Sequence, residues 1–356
     1  MNKYNFSIIE PNETDWEYIE SCPDCTVFHT RMWDNYLSSI GRKHFILSIT
    51  NSDTSRSKLG YFIATIRRFG IKIIASPGGG AGTYVQGLCT QESLTSDGRM
   101  SIYQELVHYI FKNRLASYIQ ISDWHLSFCS SEWSQSPNYG FSFHETNGFR
   151  QHLRATLFID TSLPEDQLWT NLKYKSCKYC INKAKKLGLR TKVIDRWDEI
   201  PVFVDTLSEL IQNVSKRKHE KRHIHHNKKH LLALCLSLFP DRVLMIQVLG
   251  TADDGIEHVM ASAIFCIGSA ASTYFSGASN EKYMKYCPNE LMVWEGLKLL
   301  NKQKAGDLIL GGVAPYKRKF GSTYAFLPMM VFSRYNFLGN MRSLLKNLYS
   351  FIRRKL

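Results

Sequence analysis

The chain has 356 residues, 44% of them apolar and 13% aromatic, which is enough for a packed core and excludes a disordered or collagen-like chain. Lys and Arg number 45 against 31 acids, a formal charge of +14. That excess favours an anionic partner: nucleic acid, a phosphorylated substrate or an acidic membrane surface.

At about 150 residues per domain the length suggests two domains. No run reaches the roughly 18 apolar residues of a membrane-spanning helix. The opening MNKYNFSIIEP lacks a charged-then-apolar signal pattern, so the expected location is the cytoplasm. Nine cysteines, an odd number in that setting, are expected to be reduced thiols.

Phe45–Thr50 is the first clear strand, followed by a polar turn. Gly60–Arg67 and Ile71–Ser76, rich in Ile and aromatics, are the next two. A glycine-rich stretch, Ser76-Pro-Gly-Gly-Gly-Ala-Gly-Thr83, fits a strand-exit loop lining a cleft, and it has neither the G-x-x-x-x-G-K-[ST] nor the G-x-G-x-x-G pattern. Met100–Leu115 carries Ile102, Leu106, Tyr109 and Ile110 at helical spacing, and Tyr118–Ile121 is a strand.

The same order then recurs. Arg242–Leu249, His258–Ile267 and Ala271–Ala278 are strands; Asn289–Lys304 is a helix with Gly306 at its stop; Asp307–Leu310 is the closing strand. Three strands, a helix and a strand thus occur twice, which predicts a mixed α+β chain of two like domains, residues 1–150 and 151–334. Tyr335–Leu356 forms a third segment: Leu338, Met341, Leu344, Leu345, Leu348 and Ile352 at helical spacing, with Arg342, Lys346, Arg353, Arg354 and Lys355 and no acid. Such a basic amphipathic helix lies on an anionic membrane or packs on the second domain.

Between the halves, Asn171–Lys192 holds eight basic residues and no acid. Read as one helix from about Leu168 to Leu187, it has an apolar stripe (Leu168, Leu172, Tyr179, Ile181, Ala184) on a cationic body, suited to a phosphate-rich ligand. Arg154, Lys175 and Lys178 are the candidate phosphate contacts. A second basic run, Lys216–His230, carries five histidines, but no Cys or Asp completes a metal-ligand set. Cys22-Pro-Asp-Cys25 and Cys177-Lys-Tyr-Cys180 make four thiols in two C-x-x-C pairs, set about 150 residues apart where zinc motifs use about 15–20. No metal-binding residue is assigned. Neither a Ser-His-Asp set nor an H-E-x-x-H or G-x-S-x-G motif stands out.

Tyr274–Gly321 is the most informative stretch. A strand ends Tyr274-Phe-Ser-Gly277-Ala278, and Pro288-Asn289 opens a helix with Trp294-Glu295. Gly306-Asp307 starts a strand leading to Gly311-Gly312, and then comes Tyr316-Lys317-x-x-Phe320-Gly321. Together with the Ile181-Asn-Lys-Ala184-Lys…Gly188 segment and, more loosely, Phe28-His29, Trp33 and Ser76-Pro77-Gly-Gly, this resembles the FemAB/FemX-like aminoacyltransferases within the GNAT-like acyltransferases.

The resemblance implies twin GNAT-like domains and acyl transfer to an amine on a cell-wall or surface-polysaccharide precursor. It implies that Lys317 stabilises the oxyanion of the tetrahedral intermediate; as one of three consecutive cations it is otherwise a surface lysine. Tyr274 and Tyr316 are hydrogen-bonding groups near the reacting carbonyl, or core tyrosines. Asn289 and Glu290 orient the acceptor amine, or cap the helix. Glu295 is the one acid considered as a base.

Neither a long heptad arm nor a Q/R-x-x-G-x-G/A loop is present, so the donor stays open between acyl-CoA and aminoacyl-tRNA, with no other cofactor expected. The expected partners are a phosphorylated or lipid-linked precursor, tRNA and the inner membrane face. The alternative functions are nucleic-acid binding, or a non-catalytic, membrane-associated role in glycan assembly on the same scaffold.

Overall fold

In a computed structural model of the chain, residues 3–52, 58–68, 72–75, 87–130, 149–217 and 227–335 are described. The glycine-rich loop after Ser76, most of the Lys216–His230 run, the basic segment from Leu338 onward and the side chain of Arg154 lie outside them.

The first half contains β1 (Tyr4–Ile9), α1 (Trp16–Ser21), α2 (Arg31–Ser39), β2 (His44–Asn51), β3 (Lys58–Arg68), β4 (Lys72–Ala75), β5 (Cys89–Thr90), α3 (Ser96–Lys112), β6 (Tyr118–Ser122) and β7 (Phe128–Ser130). The second contains β8 (Phe149–Ile159), α4 (Glu165–Asn171), α5 (Tyr179–Lys186), β9 (Arg190–Val193), α6 (Ile200–Arg217), α7 (Lys228–Leu238), β10 (Val243–Thr251), β11 (Glu257–Cys266), β12 (Ala271–Ser279), α8 (Pro288–Lys302), β13 (Asp307–Gly311) and β14 (Thr323–Ser333). The strand–strand–strand–helix–strand order expected from sequence is present twice, as β2-β3-β4-α3-β6 and β10-β11-β12-α8-β13. In each copy the crossover helix returns the chain to a parallel neighbour: β4 beside β6, and β12 beside β13.

Among the described residues the fourteen strands belong to one sheet, ordered β1-β2-β3-β4-β6-β14-β8-β13-β12-β11-β10-β9, with β5 on β3 and β7 on β14. The halves meet by exchange. β8 follows the first half in sequence but pairs with β13, whereas β14 ends the second half but pairs with β6. The two exchanged strands pair with each other from Thr323–Phe158 to Phe332–Phe149, which makes the sheet continuous through the centre. Their coupling is hydrogen-bonded backbone rather than a side-chain interface alone.

Helices cover both faces of the second half. On one, α8 and α5 bury Trp294, Leu297, Leu300, Ile181 and Ala184 against β10 and β11. On the other, α6 presents Ile200, Phe203, Val204, Leu207 and Ile211 at the i, i+3, i+4, i+7 and i+11 positions of one stripe. This stripe packs with α7 and with Trp33, Tyr36 and Leu37 of α2, so an N-terminal helix is part of the second half's core. In the first half α3 supplies Ile102, Tyr103, Leu106 and Ile110. Its N-terminus is capped by Thr95, whose hydroxyl accepts from the Gly98 N–H at 3.1 Å.

One expected element is different. The single helix over 168–187 is broken: α4 ends at Asn171 with Leu172 next in extended backbone (ψ 139°), a π-type turn spans Tyr174–Lys178, and α5 follows. At the break the Lys173 N–H turns outward to the Lys319 carbonyl, 3.0 Å away. Leu168, Leu172, Ile181 and Ala184 are buried on either side of it, whereas Tyr179, assigned to the stripe, is 61% exposed. α8 also stops earlier than expected, at Lys302, with Lys304 in the left-handed region at φ 53°.

Candidate active site

The parallel strands β12 and β13 stay paired for only three positions, Ala271–Asp307, Ser272–Leu308 and Thr273–Ile309. Two irregularities fall at the next level. On β12, Tyr274 pairs with Phe265 and Ser276 with Ile264, leaving Phe275 as an extra residue. On β13, Ile309 pairs with Phe158 and Gly311 with Leu157, leaving Leu310 unmatched. Bulges bend strands and re-aim side chains. Here both strands are bent where they part, and the gap between them opens at Tyr274 and Leu310.

The bulge sets the direction of Tyr274. In a regular strand residues 274 and 277 point to opposite faces; with one residue inserted they share a face, and the phenol folds over Gly277. A Cβ at 277 would sit 1.9 Å from Tyr274 Oη, so only glycine permits this placement. The ring packs edge-on against Phe265 at 5.3 Å. Burial pushes the phenol well above its ordinary value, so at neutral pH it is a hydrogen-bond donor rather than a base.

Lys317 comes from the 3-10 turn Pro315–Phe320 joining β13 to β14. Its Nζ donates to the carbonyl of the bulged Leu310. It also lies 5.7 Å from the ring centres of both Tyr274 and Tyr316, within cation–π range. Tyr316 is 50% exposed and forms the solvent side of the group. The turn is fixed at its C-terminal end. Phe320 is buried, Gly321 takes φ +74° against the backbone of Asn171, and Lys173 bonds Lys319 O. The three consecutive cations therefore have different surroundings: Arg318 is exposed over the Tyr324 ring, while Lys317 and Lys319 turn inward.

Lys319 pairs with Glu290 in the first turn of α8, where both side chains are largely covered. Asn289 donates through Nδ2 to Ser279 Oγ at 2.8 Å, tying the same helix end to the end of β12. The structure thus brings Lys317, Tyr274 and Tyr316 together, and joins the α8 N-terminus to the same turn through Glu290 and to β12 through Asn289. Lys178 donates to Thr170 O at 3.0 Å and Lys175 is exposed, both on the π-type turn that packs against the Lys317 turn. Arg154 stands on β8 opposite Leu327.

Glu295 lies between Lys298 (2.7 Å) and Lys185 (3.4 Å), an ion-pair position on α8. Arg190 and Lys192 likewise meet Glu257 and Glu199, each at 2.8 Å. The fold therefore supplies acids to a stretch that has none of its own, and the exposed positive charge concentrates on Lys173, Lys175 and Lys186. Sequence reasoning missed the Leu310 carbonyl and the Glu290–Lys319 pair; Gly311-Gly312 was the one local sign of irregular backbone there.

No family model matches the sequence, and no curated protein does. Among solved structures the chain is similar to FemX, with a TM-score of 0.64 at 12% identity over 91% of this chain and 96% of that one. The chain has the FemX fold. The tandem mixed α+β architecture expected from sequence is that fold, both halves included. The chain is also similar to L-PGS from Bacillus licheniformis (TM-score 0.49, 10% identity, 88% of this chain and 92% of that one). A third similarity is to a tandem GNAT protein from the clavulanic acid biosynthesis pathway (TM-score 0.44, 8% identity, 92% and 98%). Among the described residues no helix is long and apolar enough to cross a membrane.

Proposed function

We propose that the protein is an N-acyltransferase of FemX type that moves an acyl or aminoacyl group onto an amine of a cell-wall or surface-polysaccharide precursor. The observation that carries this reading is the Lys317 ammonium, tethered to Leu310 O where β12 and β13 part. The donor carbonyl enters that gap. As the amine attacks, the carbonyl oxygen gains negative charge, and Lys317 and the protonated Tyr274 stabilise it; one well-placed donor contributes about 3–4 kcal/mol. The C–N bond forms, the bond from the acyl carbon to its carrier breaks, and the amine proton leaves to solvent or to a substrate phosphate.

In this scheme Tyr316 walls the gap and Asn289 and Glu290 shape its α8 side. Arg154, Lys175 and Lys178 receive phosphates of the acceptor or of the donor's carrier, either acyl-CoA or aminoacyl-tRNA. Residues 1–150 and 151–334 act as the two domains, and 335–356 rests on the anionic inner face of the membrane beside a lipid-linked acceptor. Thermal-shift and native mass measurements against acyl-CoAs, aminoacyl-tRNA and UDP-linked wall precursors test the reading. It expects stabilisation by one donor class and by a phosphorylated precursor. Stabilisation by RNA of any sequence and by neither substrate class contradicts it.

A further inference from the structure

The two C-x-x-C pairs do not complete one another across the fold; each lies beside a third, distant cysteine instead. Cys180 meets Cys287 near the α8 N-terminus. The first pair, Cys22 and Cys25, meets Cys89 of β5, and this second cluster is the more complete. Cys25, Cys89 and a ring nitrogen of His29 have their ligand atoms within 4.8 Å of one another, and so have Cys22, Asp24 and Cys89. The Cys89 thiol is shared by both groups. All four of Cys22, Cys25, His29 and Cys89 are no more than 1% exposed.

Zinc in a tetrahedral site binds sulfur at about 2.3 Å, which puts ligand sulfurs near 3.8 Å apart. Cys25, His29 and Cys89 approach that spacing, all within 4.8 Å of one another, whereas Cys22 lies within 4.8 Å of Cys89 but farther from Cys25 and His29, so rotation of the Cys22 side chain has to close the set. Which group is the fourth ligand follows from hydrogen bonding. The Asp24 carboxylate is committed to the Arg99 guanidinium and to the Thr90 N–H at 2.7 Å, so it stands outside the ligand set. The His29 Nε2–H donates to the Gly87 carbonyl at 3.0 Å, and this fixes the tautomer in which Nδ1 carries the lone pair. That lone pair faces the Thr26 N–H at 3.1 Å and the Thr26 hydroxyl at 3.0 Å, contacts a metal would replace while the Gly87 bond remains. A ring N–H held by a backbone carbonyl is the usual outer support of a metal-ligating histidine.

We infer that Cys22, Cys25, His29 and Cys89 form a closed structural zinc site. Cys22-x-x-Cys25-x-x-x-His29 supplies three ligands from the segment linking α1 to α2, and Cys89 supplies the fourth from β5. On binding, the three thiols ionise and release their protons to solvent, so the ion is held by three thiolates and a neutral imidazole. Arg99, whose Nε is a buried donor with no partner among the described residues, lies on the same network between Asp24 and Asp123. The ion staples the N-terminal segment to β5 at a junction of the two halves: the Cys25 carbonyl accepts the Ala270 N–H at 2.9 Å, and Val27 and Phe28 lie in the second half's core.

The test uses the full chain, purified without a metal-affinity step and in reductant. Metal analysis is expected to find about one zinc per chain, resistant to EDTA and released by a mercurial thiol reagent. Cys89→Ser is expected to lower the zinc content at least about tenfold, and Cys180→Ser to leave it unchanged. Should Cys89→Ser not fold, the zinc K-edge spectrum of the wild-type chain decides: three sulfurs and one nitrogen support the site, and oxygen and nitrogen ligands alone overturn it. A wild-type chain that holds no stoichiometric zinc after growth with added zinc overturns it, as does full zinc retention in Cys89→Ser.

Discussion

The turn that carries Lys317 is held to α8 by the Glu290–Lys319 ion pair, and that clamp has a measurable strength. The side chains are 13% and 16% exposed. Breaking a fully buried pair costs about 3–5 kcal/mol because the remaining charge is stranded. Residual contact with water lowers that here, so Lys319→Met is expected to destabilise by about 2 kcal/mol. Glu290→Gln removes the pair from the other side and also removes a carboxylate from the first turn of α8, where the helix dipole favours it by about 0.3–1 kcal/mol; its cost is about 2 kcal/mol as well. In the double variant neither charge is left stranded, so the total stays near 2–2.5 kcal/mol. The coupling energy is then about 1.5–2 kcal/mol. Urea unfolding of the four proteins gives it directly. Additivity within about 0.5 kcal/mol would refute the reasoning, because it would mean the two groups do not hold each other.

Two further outcomes follow from the site. Gly277→Ala drives a Cβ into the Tyr274 hydroxyl, 1.9 Å away; the obstacle is the end of a side chain, so unfolding free energy is expected to change by under about 1 kcal/mol while turnover falls about a hundredfold. Wild-type turnover in that variant, in a kinetic assay, would remove Tyr274 from the chemistry. Burial, with Asp160 adding to it, pushes the Asp307 carboxyl from 3.8 up to about 6. The folded state therefore holds that proton more tightly than the unfolded one, and stability is lost as pH rises from about 4 through 6. Asp307→Asn is expected to flatten this slope and to gain about 1 kcal/mol at pH 8, a value reduced for its partial exposure; equal slopes in urea melts of the two proteins would contradict it.

Most of what the sequence disclosed is what local periodicity can encode. Each strand of the repeated β-β-β-α-β order has alternating or continuous apolar runs, and the helices carry a 3.6-residue stripe, so both copies are readable without knowledge of the fold. The exchange of β8 and β14 is a choice between equivalent antiparallel partners far apart in the chain, and nothing within either strand marks it. The stripe through 168–187 misled for a related reason: Leu168, Leu172, Ile181 and Ala184 face one core whether or not the helix is continuous, and the break is set by Lys319, about 150 residues away. At the site, Tyr274, Lys317 and Tyr316 were legible only through the resemblance of their motifs. Composition makes Lys317 one cation among three, and the 3-10 turn separates it from Arg318. The partners of both C-x-x-C pairs, Cys89 and Cys287, share no spacing with them and become visible only when β5 and α8 are in place.

The central claim is that a fixed cation at the β12–β13 gap stabilises charge developing on an acyl oxygen. Its most direct measurement is single-turnover amide formation by Lys317→Ala, with the donor and acceptor that bind the wild-type protein and with the circular dichroism spectrum as the check on folding. A fall of about a hundred- to a thousandfold in the bond-forming rate with an unchanged spectrum is the predicted result. A rate within about twofold of wild type would contradict the account.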